Sequence, residues 1–76
     1  MDAAAIQSCI EAALPGAKVE VQGDDGVHFE ACIVAPQFEG LKLVGRQRLV
    51  YAALGDAMVS AVHALSMQTR APSEVK

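Results

Sequence analysis

Two neighbouring segments of alternating apolar and polar residues constrain the fold of this chain more than any other feature. They are KVEVQ, residues 18–22, and HFEACIVA, residues 28–35, and each has a period of two. That period is typical of β-strands with one buried face. The GDDG segment between them, residues 23–26, is rich in turn-forming residues. The sequence therefore predicts an antiparallel hairpin, with Val19 and Val21 on one face of the first strand and Phe29, Ala31 and Ile33 on one face of the second.

Helical spacing dominates the segments on either side of the hairpin. The first segment places apolar residues three and four positions apart, which is typical of an amphipathic helix. Pro15 and Gly16 end it, because proline disfavours helical geometry in the preceding residue and glycine supplies the turn. The predicted buried stripe of this first helix is Ile6, Cys9, Ile10, Ala13 and Leu14.

A longer helix is predicted after Pro36, which closes the second strand. QFEG forms a short helical turn ending at Gly40, and the longer helix runs from about Lys42 to about Val59. Its apolar positions fit a helical period and do not fit a strand. The predicted stripe is Leu49, Val50, Ala53, Leu54, Ala57 and Met58.

A third strand is predicted at residues 62–69, with the ordered region ending at Pro72. Because a helical crossover separates this strand from the second one, the two strands should run parallel if they are neighbours. The element order is αββααβ, and a three-stranded mixed sheet with helices on one face buries every apolar stripe at once. We therefore expect an α+β fold, with one domain over residues 1–70 and a polar tail over residues 71–76.

Charge and composition narrow the classes of function. With 76 residues the chain has room for one small core, and its formal net charge of −3 argues against a protein that mainly coats nucleic acid. No apolar stretch is close to the length of about 20 residues that is needed to span a bilayer. The N-terminus lacks the basic region that is typical of a secretion signal. Cys9 and Cys32 lack CxxC spacing and are interpreted as reduced, packed thiols of a cytoplasmic protein. The sequence contains no nucleophilic triad, zinc spacing or phosphate loop, so an enzyme is not expected.

Two segments of the chain contain motifs with a characteristic spacing. They are GDDGVHFEACIV, residues 23–34, and FEGLKLVGRQRLVYAALGDAMVSAVHALSMQTRAPSE, residues 38–74. Their combined spacing resembles the BolA-like family over nearly the whole chain. The short turn with His28 directly before Phe29 looks most like the IbaG branch of that family. The matching positions are Phe38, Gly40, Arg46, Arg48, Val50, Tyr51, Leu54 and Val62 to Leu65.

The resemblance implies a class II KH-like fold that contains a helix-turn-helix. It also implies association with a monothiol glutaredoxin and a bridging [2Fe–2S] cluster that is held partly by a histidine of the BolA-like partner. Links to the stress response and to transcription regulation follow from the same resemblance. Alone, the protein is expected to be a monomer or a weak homodimer, without a membrane association.

His63 and His28 are the candidate metal ligands. A single strand histidine is more often a structural residue, and it is the resemblance that favours His63 as a ligand. Strand alternation groups His63 with Leu65 and Met67 but does not decide which face meets the helices. If the second and third strands are parallel neighbours, their starts lie at the same edge of the sheet, and both histidines are then close to that edge. Cys32 is too far along its strand from His28 to share one iron.

The basic cluster of the second helix is the candidate nucleic-acid surface. It comprises Lys42, Arg46, Gln47 and Arg48, and Gln47 is suited to an adenine edge. The simpler interpretation is a solvated helix face, because Arg46 and Arg48 are two residues apart and point in different directions. Weak, salt-dependent DNA binding by a transcriptional regulator is thus the alternative function.

Overall fold

The computed structural model of this chain describes residues 3–23, 28–55 and 65–75. Two helices and three strands account for most of these residues, and single turns of 3₁₀ helix follow β2 and β3. The elements are α1 (Ala3–Ala13), β1 (Lys18–Gln22), β2 (Phe29–Val34), a first 3₁₀ turn (Pro36–Phe38), α2 (Leu43–Leu54), β3 (Leu65–Arg70) and a second 3₁₀ turn (Pro72–Glu74).

The predicted hairpin is confirmed. β1 and β2 pair antiparallel, and Val19 lies opposite Ile33. Burial alternates along both strands in the predicted phase, so the apolar face of each is covered and the polar face is exposed. Of the predicted GDDG turn, residues 24–26 lie outside the described part of the chain.

β3 completes the sheet by pairing parallel with β2, as predicted. The strand order is β1-β2-β3, and the parallel register places Leu65 beside Phe29 and Arg70 beside Val34. Leu65 and Met67 pack against the core, whereas Ser66 is exposed on the opposite face. This answers which face of β3 meets the helices. The predicted strand residues 62–64, and with them His63, lie outside the described residues.

Both helices pack on one face of the sheet, as the α+β prediction requires. Ile6 and Ile10 of α1, with Val50 and Leu54 of α2, are buried in one cluster with the inner side chains of the strands. Burial of such aliphatic side chains contributes about 1.5–3 kcal/mol each to folding. The largest fully buried side chain is Phe38, in the first 3₁₀ turn.

The predicted extent of α2 is wrong at its C-terminal end. The helix begins close to the predicted start, with Lys42 as its N-cap, but it ends at Leu54 and not at about Val59. Gly55 adopts φ +71° and ψ 179°, a backbone region that is essentially restricted to glycine, and its N–H donates to the carbonyl of Tyr51. Ala57 and Met58, which the sequence assigned to the same stripe, lie outside the described residues.

Ordered structure also extends past Pro72, contrary to the sequence-based expectation. Pro72–Glu74 forms a turn of 3₁₀ helix, and the backbone N–H of Ala71 donates to the carboxylate of Glu74. The hydroxyl of Ser73 donates to the carboxylate of Glu39, which fixes this turn against the first 3₁₀ turn. The division between residues 1–70 and 71–76 remains a prediction.

Each outer strand of the sheet has a backbone group that bonds to a helix side chain. In β1, the N–H of Val21 donates to Oε1 of Gln7 in α1, at 3.4 Å. In β3, the carbonyl of Thr69 accepts from the guanidinium of Arg46 in α2, at 3.3 Å. The next carbonyl along β3, that of Arg70, accepts from the N–H of Ala35 on the β2 side. Because successive carbonyls of a strand point to opposite sides, the Thr69 carbonyl points to the outer edge of the sheet.

Candidate functional site

The N-terminal ends of β2 and β3 meet at one edge of the sheet. Phe29 and Leu65, the first residues of these parallel strands, are aligned in the register. His28 directly precedes Phe29, and in the sequence His63 precedes Leu65 by two residues. The parallel pairing therefore places His28 beside this edge, and His63 lies outside the described residues.

His28 is exposed, whereas the adjacent Phe29 is buried in the core. The strand start packs tightly against Gly23, where an added Cβ would lie 2.7 Å from the His28 carbonyl oxygen and 2.5 Å from Cδ1 of Phe29. Only glycine fits at such an approach. The structure thus presents His28 at the surface beside an anchored aromatic residue. An exposed imidazole can ligate a metal through its neutral form.

The cysteines do not complete a metal site with His28. Cys32 is exposed on the open face of the sheet, directly opposite Glu20 of β1, so its predicted packing is wrong. It follows His28 by four residues, which is about 13 Å along a strand. Cys9 is half-buried against the core, as predicted. Within residues 3–23, 28–55 and 65–75, no three His, Cys, Asp or Glu side chains gather closely enough to hold a metal ion.

A shallow pocket of about 300 Å³ lies on this open face of the sheet. Cys32 lines this pocket together with Glu20 and Glu30. The rest of the lining is mostly amide and hydroxyl side chains from the outer strands. The lining combines hydrogen-bonding groups and two carboxylates with apolar surface.

Arg46 is the most highly connected member of the predicted basic cluster. Its Nε donates to the carbonyl of Leu41 at 2.9 Å, and its Nη1 donates to the Thr69 carbonyl and to the Glu74 carboxylate, the latter at 2.7 Å. The guanidinium carbon lies 5.9 Å from the centroid of the Phe38 ring. The side chain is only 13% exposed. Through these contacts, Arg46 joins α2 to the C-terminal turn.

The ion pair has an electrostatic effect on Glu74. The hydrogen bond from Arg46 is the main cause that holds the pKa of the Glu74 carboxyl below its ordinary value, and the N–H of Ala71 lowers this pKa further. The carboxylate is therefore stabilised in its charged form.

The other three residues of the basic cluster are differently placed. Lys42 and Arg48 are exposed, whereas Gln47 is half-buried. Arg46 points to β3, so the structure does not present the four predicted residues as one continuous surface. A nucleic-acid role of this cluster remains a prediction, and Lys42 and Arg48 are its accessible cations.

An exposed apolar stripe on α2 was missed in the sequence. Val44 and Tyr51, seven residues apart, lie on the exposed side of the helix, and Leu43 at its start is exposed as well. The i, i+7 spacing was present in the sequence as a second stripe. It was not recognised because the pattern of Leu49, Val50 and Leu54 already accounted for a core-facing side.

Comparison with known proteins identifies the family. The family model described as BolA-like protein matches residues 10–74. The chain belongs to the BolA-like family. The "BolA-like protein 1" of Bos taurus is 37% identical over 82 aligned residues, which cover 96% of this chain. This BolA-like chain spans about three fifths of the length of its mammalian relatives, 61% of the bovine protein and 58% of the human one.

Solved structures confirm the BolA-like fold. A bolA protein homologue from Coxiella burnetii superposes with a TM-score of 0.82 at 44% identity, covering 97% of this chain and 95% of that one. The BolA domain of SufE1 from Arabidopsis thaliana gives a TM-score of 0.80 at 36% identity, with 96% and 94% coverage. Membership in the IbaG branch remains a prediction. In the described segments, no helix combines the length and apolar character needed to cross a membrane.

Proposed function

We propose that this BolA-like protein is an adaptor that pairs with a monothiol glutaredoxin and helps ligate a bridging [2Fe–2S] cluster. In this proposal His63 supplies a nitrogen ligand and His28 is the candidate for a second one. The protein then acts in iron–sulfur cluster handling and in stress-linked regulation. Membership in the family supports the choice of partner.

The observation that carries the proposal is the parallel alignment of Phe29 with Leu65. This pairing sets the first residues of β2 and β3 at the same edge of the sheet, and this supports the assignment of both histidines to that edge. In the sequence, one residue separates His63 from Leu65 and none separates His28 from Phe29. His28 is exposed at that edge, which is where a second protein would have to approach.

The donor chemistry of the chain is consistent with a shared cluster. Histidine replaces cysteine as a ligand in some [2Fe–2S] centres, which raises the reduction potential of the cluster. An imidazole binds metal in its neutral form, so binding of the cluster competes with protonation. Two histidines leave the remaining positions of the irons to thiolates, and the proposal assigns those to the glutaredoxin and its glutathione.

The remaining parts of the proposal concern the setting of the protein. It acts as an adaptor without an enzymatic activity, as a monomer or weak homodimer when alone, and in the cytoplasm. Two free cysteines, one of them exposed, are consistent with a reducing compartment.

The decisive experiment mixes this protein with a cluster-loaded monothiol glutaredoxin and records visible absorption and circular dichroism. Wild-type protein should change both spectra, His63→Ala should abolish the change, and His28→Ala should reduce it. Gln22→Ala, at an exposed position of β1, is the matched control and should behave as the wild type. Spectra that are identical for the wild type and His63→Ala would refute the ligand assignment.

Weak DNA binding by α2 is the second candidate function. Two exposed cations, Lys42 and Arg48, favour it, because both can reach phosphate groups. The engagement of Arg46 with Glu74 counts against it, since this cation is already paired within the protein.

A further inference from the structure

The exposed side of α2 has the properties of a protein-docking surface. Val44 is 58% exposed and Tyr51 is 40% exposed, and Arg48 is also exposed. These residues are spaced i, i+4 and i+7, so they lie in one row along the helix. We call this row the outer stripe of α2. Leu43, 59% exposed at the helix start, adds apolar surface at one end.

The outer stripe is not needed to bury α2 on its own domain. The opposite side of the helix already supplies Val50 and Leu54 to the core. A surface helix of a globular protein typically has one apolar side and one polar side, whereas α2 has apolar side chains on both. Contiguous exposed apolar residues flanked by polar ones mark interaction sites. Tyrosine and arginine are also enriched among residues that dominate binding energy at interfaces.

The charges around the stripe define the chemistry of the occupant. Residues 41–54 contain three cations and no Asp or Glu. Since Arg46 is paired with Glu74, the outward positive charge comes from Lys42 and Arg48. The complementary surface therefore carries at least one carboxylate beside its apolar side chains.

Two other occupants fit less well. A second copy of this chain, packed stripe to stripe, would bring Arg48 against Arg48 near the centre of the contact, and like charges there are unfavourable. Duplex DNA would contact the two exposed cations but would gain little from Val44 and Tyr51, because phosphate offers no apolar partner. The stripe is better matched by a protein than by either alternative.

We propose that the outer stripe of α2 docks an apolar, carboxylate-bearing surface of the protein partner. The partner is identified as the glutaredoxin only through the proposed function, on which this part of the inference rests. Docking at α2 is separate from ligation by the histidines, so it occurs without the cluster. Once a cluster-loaded partner is bound, His63 and His28 then complete the coordination of the cluster.

The test titrates cluster-free monothiol glutaredoxin into this protein by isothermal calorimetry. Val44→Glu and Arg48→Glu should each weaken binding by about tenfold or more, because one places a charge in the apolar row and the other reverses the complementary charge. Ala12→Glu, at an exposed position of α1, is the matched control and should bind as the wild type. Both stripe positions are exposed, and far-UV circular dichroism with thermal melts verifies that the variants are folded.

The outcomes separate this inference from the proposed function. Wild-type affinity in both Val44→Glu and Arg48→Glu would overturn the docking site, even if His63→Ala still abolished the spectral change with loaded glutaredoxin. Lost affinity in the stripe variants, with normal affinity in His63→Ala, would support docking as a separate step. Absence of wild-type binding to cluster-free glutaredoxin would overturn the docking site, whereas the proposed function is decided by the spectra with loaded glutaredoxin. Duplex DNA binding that depends on Val44 as well as Arg48 would overturn the assignment of a protein occupant.

Discussion

The guanidinium of Arg46 lies 2.7 Å from the carboxylate of Glu74 and joins α2 to the C-terminal turn. The same guanidinium group donates to the backbone carbonyls of Leu41 and Thr69. One side chain from the predicted DNA-binding cluster therefore holds three separate segments together. Its role in the described structure is internal, and this distinguishes it from Arg48, two residues further along the helix.

Arg46→Ala should lower the free energy of unfolding by about 1–3 kcal/mol, because it removes a partly buried hydrogen bond to the Thr69 carbonyl together with the bonds to Leu41 and Glu74. Arg48→Ala is the matched control and should change it by no more than about 0.5 kcal/mol, since that side chain is exposed. Urea denaturation measures both. Equal losses in the two variants would contradict the internal role of Arg46.

Acid should weaken the attachment of the C-terminal turn. The pKa of Glu74 is lowered in the folded protein from its ordinary value of 4.5, chiefly by the hydrogen bond from Arg46. A carboxyl with a lowered folded-state pKa stabilises the fold fully above its unfolded pKa, and this contribution is lost as the pH falls through the folded-state pKa. The stability difference between wild type and Glu74→Gln should therefore be largest near neutral pH and vanish in acid. Urea melts across a pH series measure this difference, and a pH-independent value would refute the coupling.

Two glycine-to-alanine substitutions should have opposite effects on stability. Gly55→Ala should destabilise the protein by about 1–3 kcal/mol, because φ +71° with ψ 179° is strained for any residue with a Cβ. Gly45→Ala, inside α2, should stabilise it by about 0.5–1 kcal/mol, since the nearest atom to the new Cβ would be Cβ of Leu41 at an ordinary 3.7 Å. Thermal melts of both variants measure these changes in stability. A neutral Gly55→Ala would mean that α2 does not end at this residue.

The two cysteines should differ in reactivity towards a thiol reagent such as DTNB. Cys32 is exposed and should react in a fast phase, whereas Cys9, half-buried against the core, should react more slowly. Cys32→Ser should remove the fast phase and leave the free energy of unfolding nearly unchanged. A single slow phase in the wild type would place Cys32 inside the protein.

DNA binding can be tested on the accessible cations alone. If α2 binds duplex DNA, the double variant Lys42→Ala and Arg48→Ala should abolish it, and binding by the wild type should fall steeply with salt. Fluorescence anisotropy with a labelled duplex at two salt concentrations measures both effects. Binding that survives the double variant, or that persists at high salt, would exclude this electrostatic mode.

The strand and core pattern was predictable because it depends on period and burial. Val19, Val21, Phe29, Ala31 and Ile33 share one phase of the alternation, and this phase determines which side chains are buried. The end of α2 was not predictable in this way. Ala57 and Met58 continue the helical period, and only the backbone angles of Gly55 reveal that the helix stops before them.

Side-chain roles were predicted less well than the fold. The sequence correctly put Cys32 on the face opposite Phe29, but it did not show that this face is left open to solvent. Arg46 was grouped with Arg48 because charge alone does not distinguish a solvated cation from one paired with a carboxylate 28 positions away in sequence. The alternation assigned His28 to the second strand, whereas β2 begins one residue later, at Phe29.

The bonds from Gln7 to Val21 and from Arg46 to Thr69 bear on the solubility of so small a sheet. Exposed outer strands are templates on which further chains add and grow into aggregates. On each outer strand, a polar side chain is hydrogen-bonded to a backbone group with which an incoming strand would have to pair. Loss of both, in a Gln7→Ala and Arg46→Ala protein, should therefore promote fibril formation on storage at high concentration.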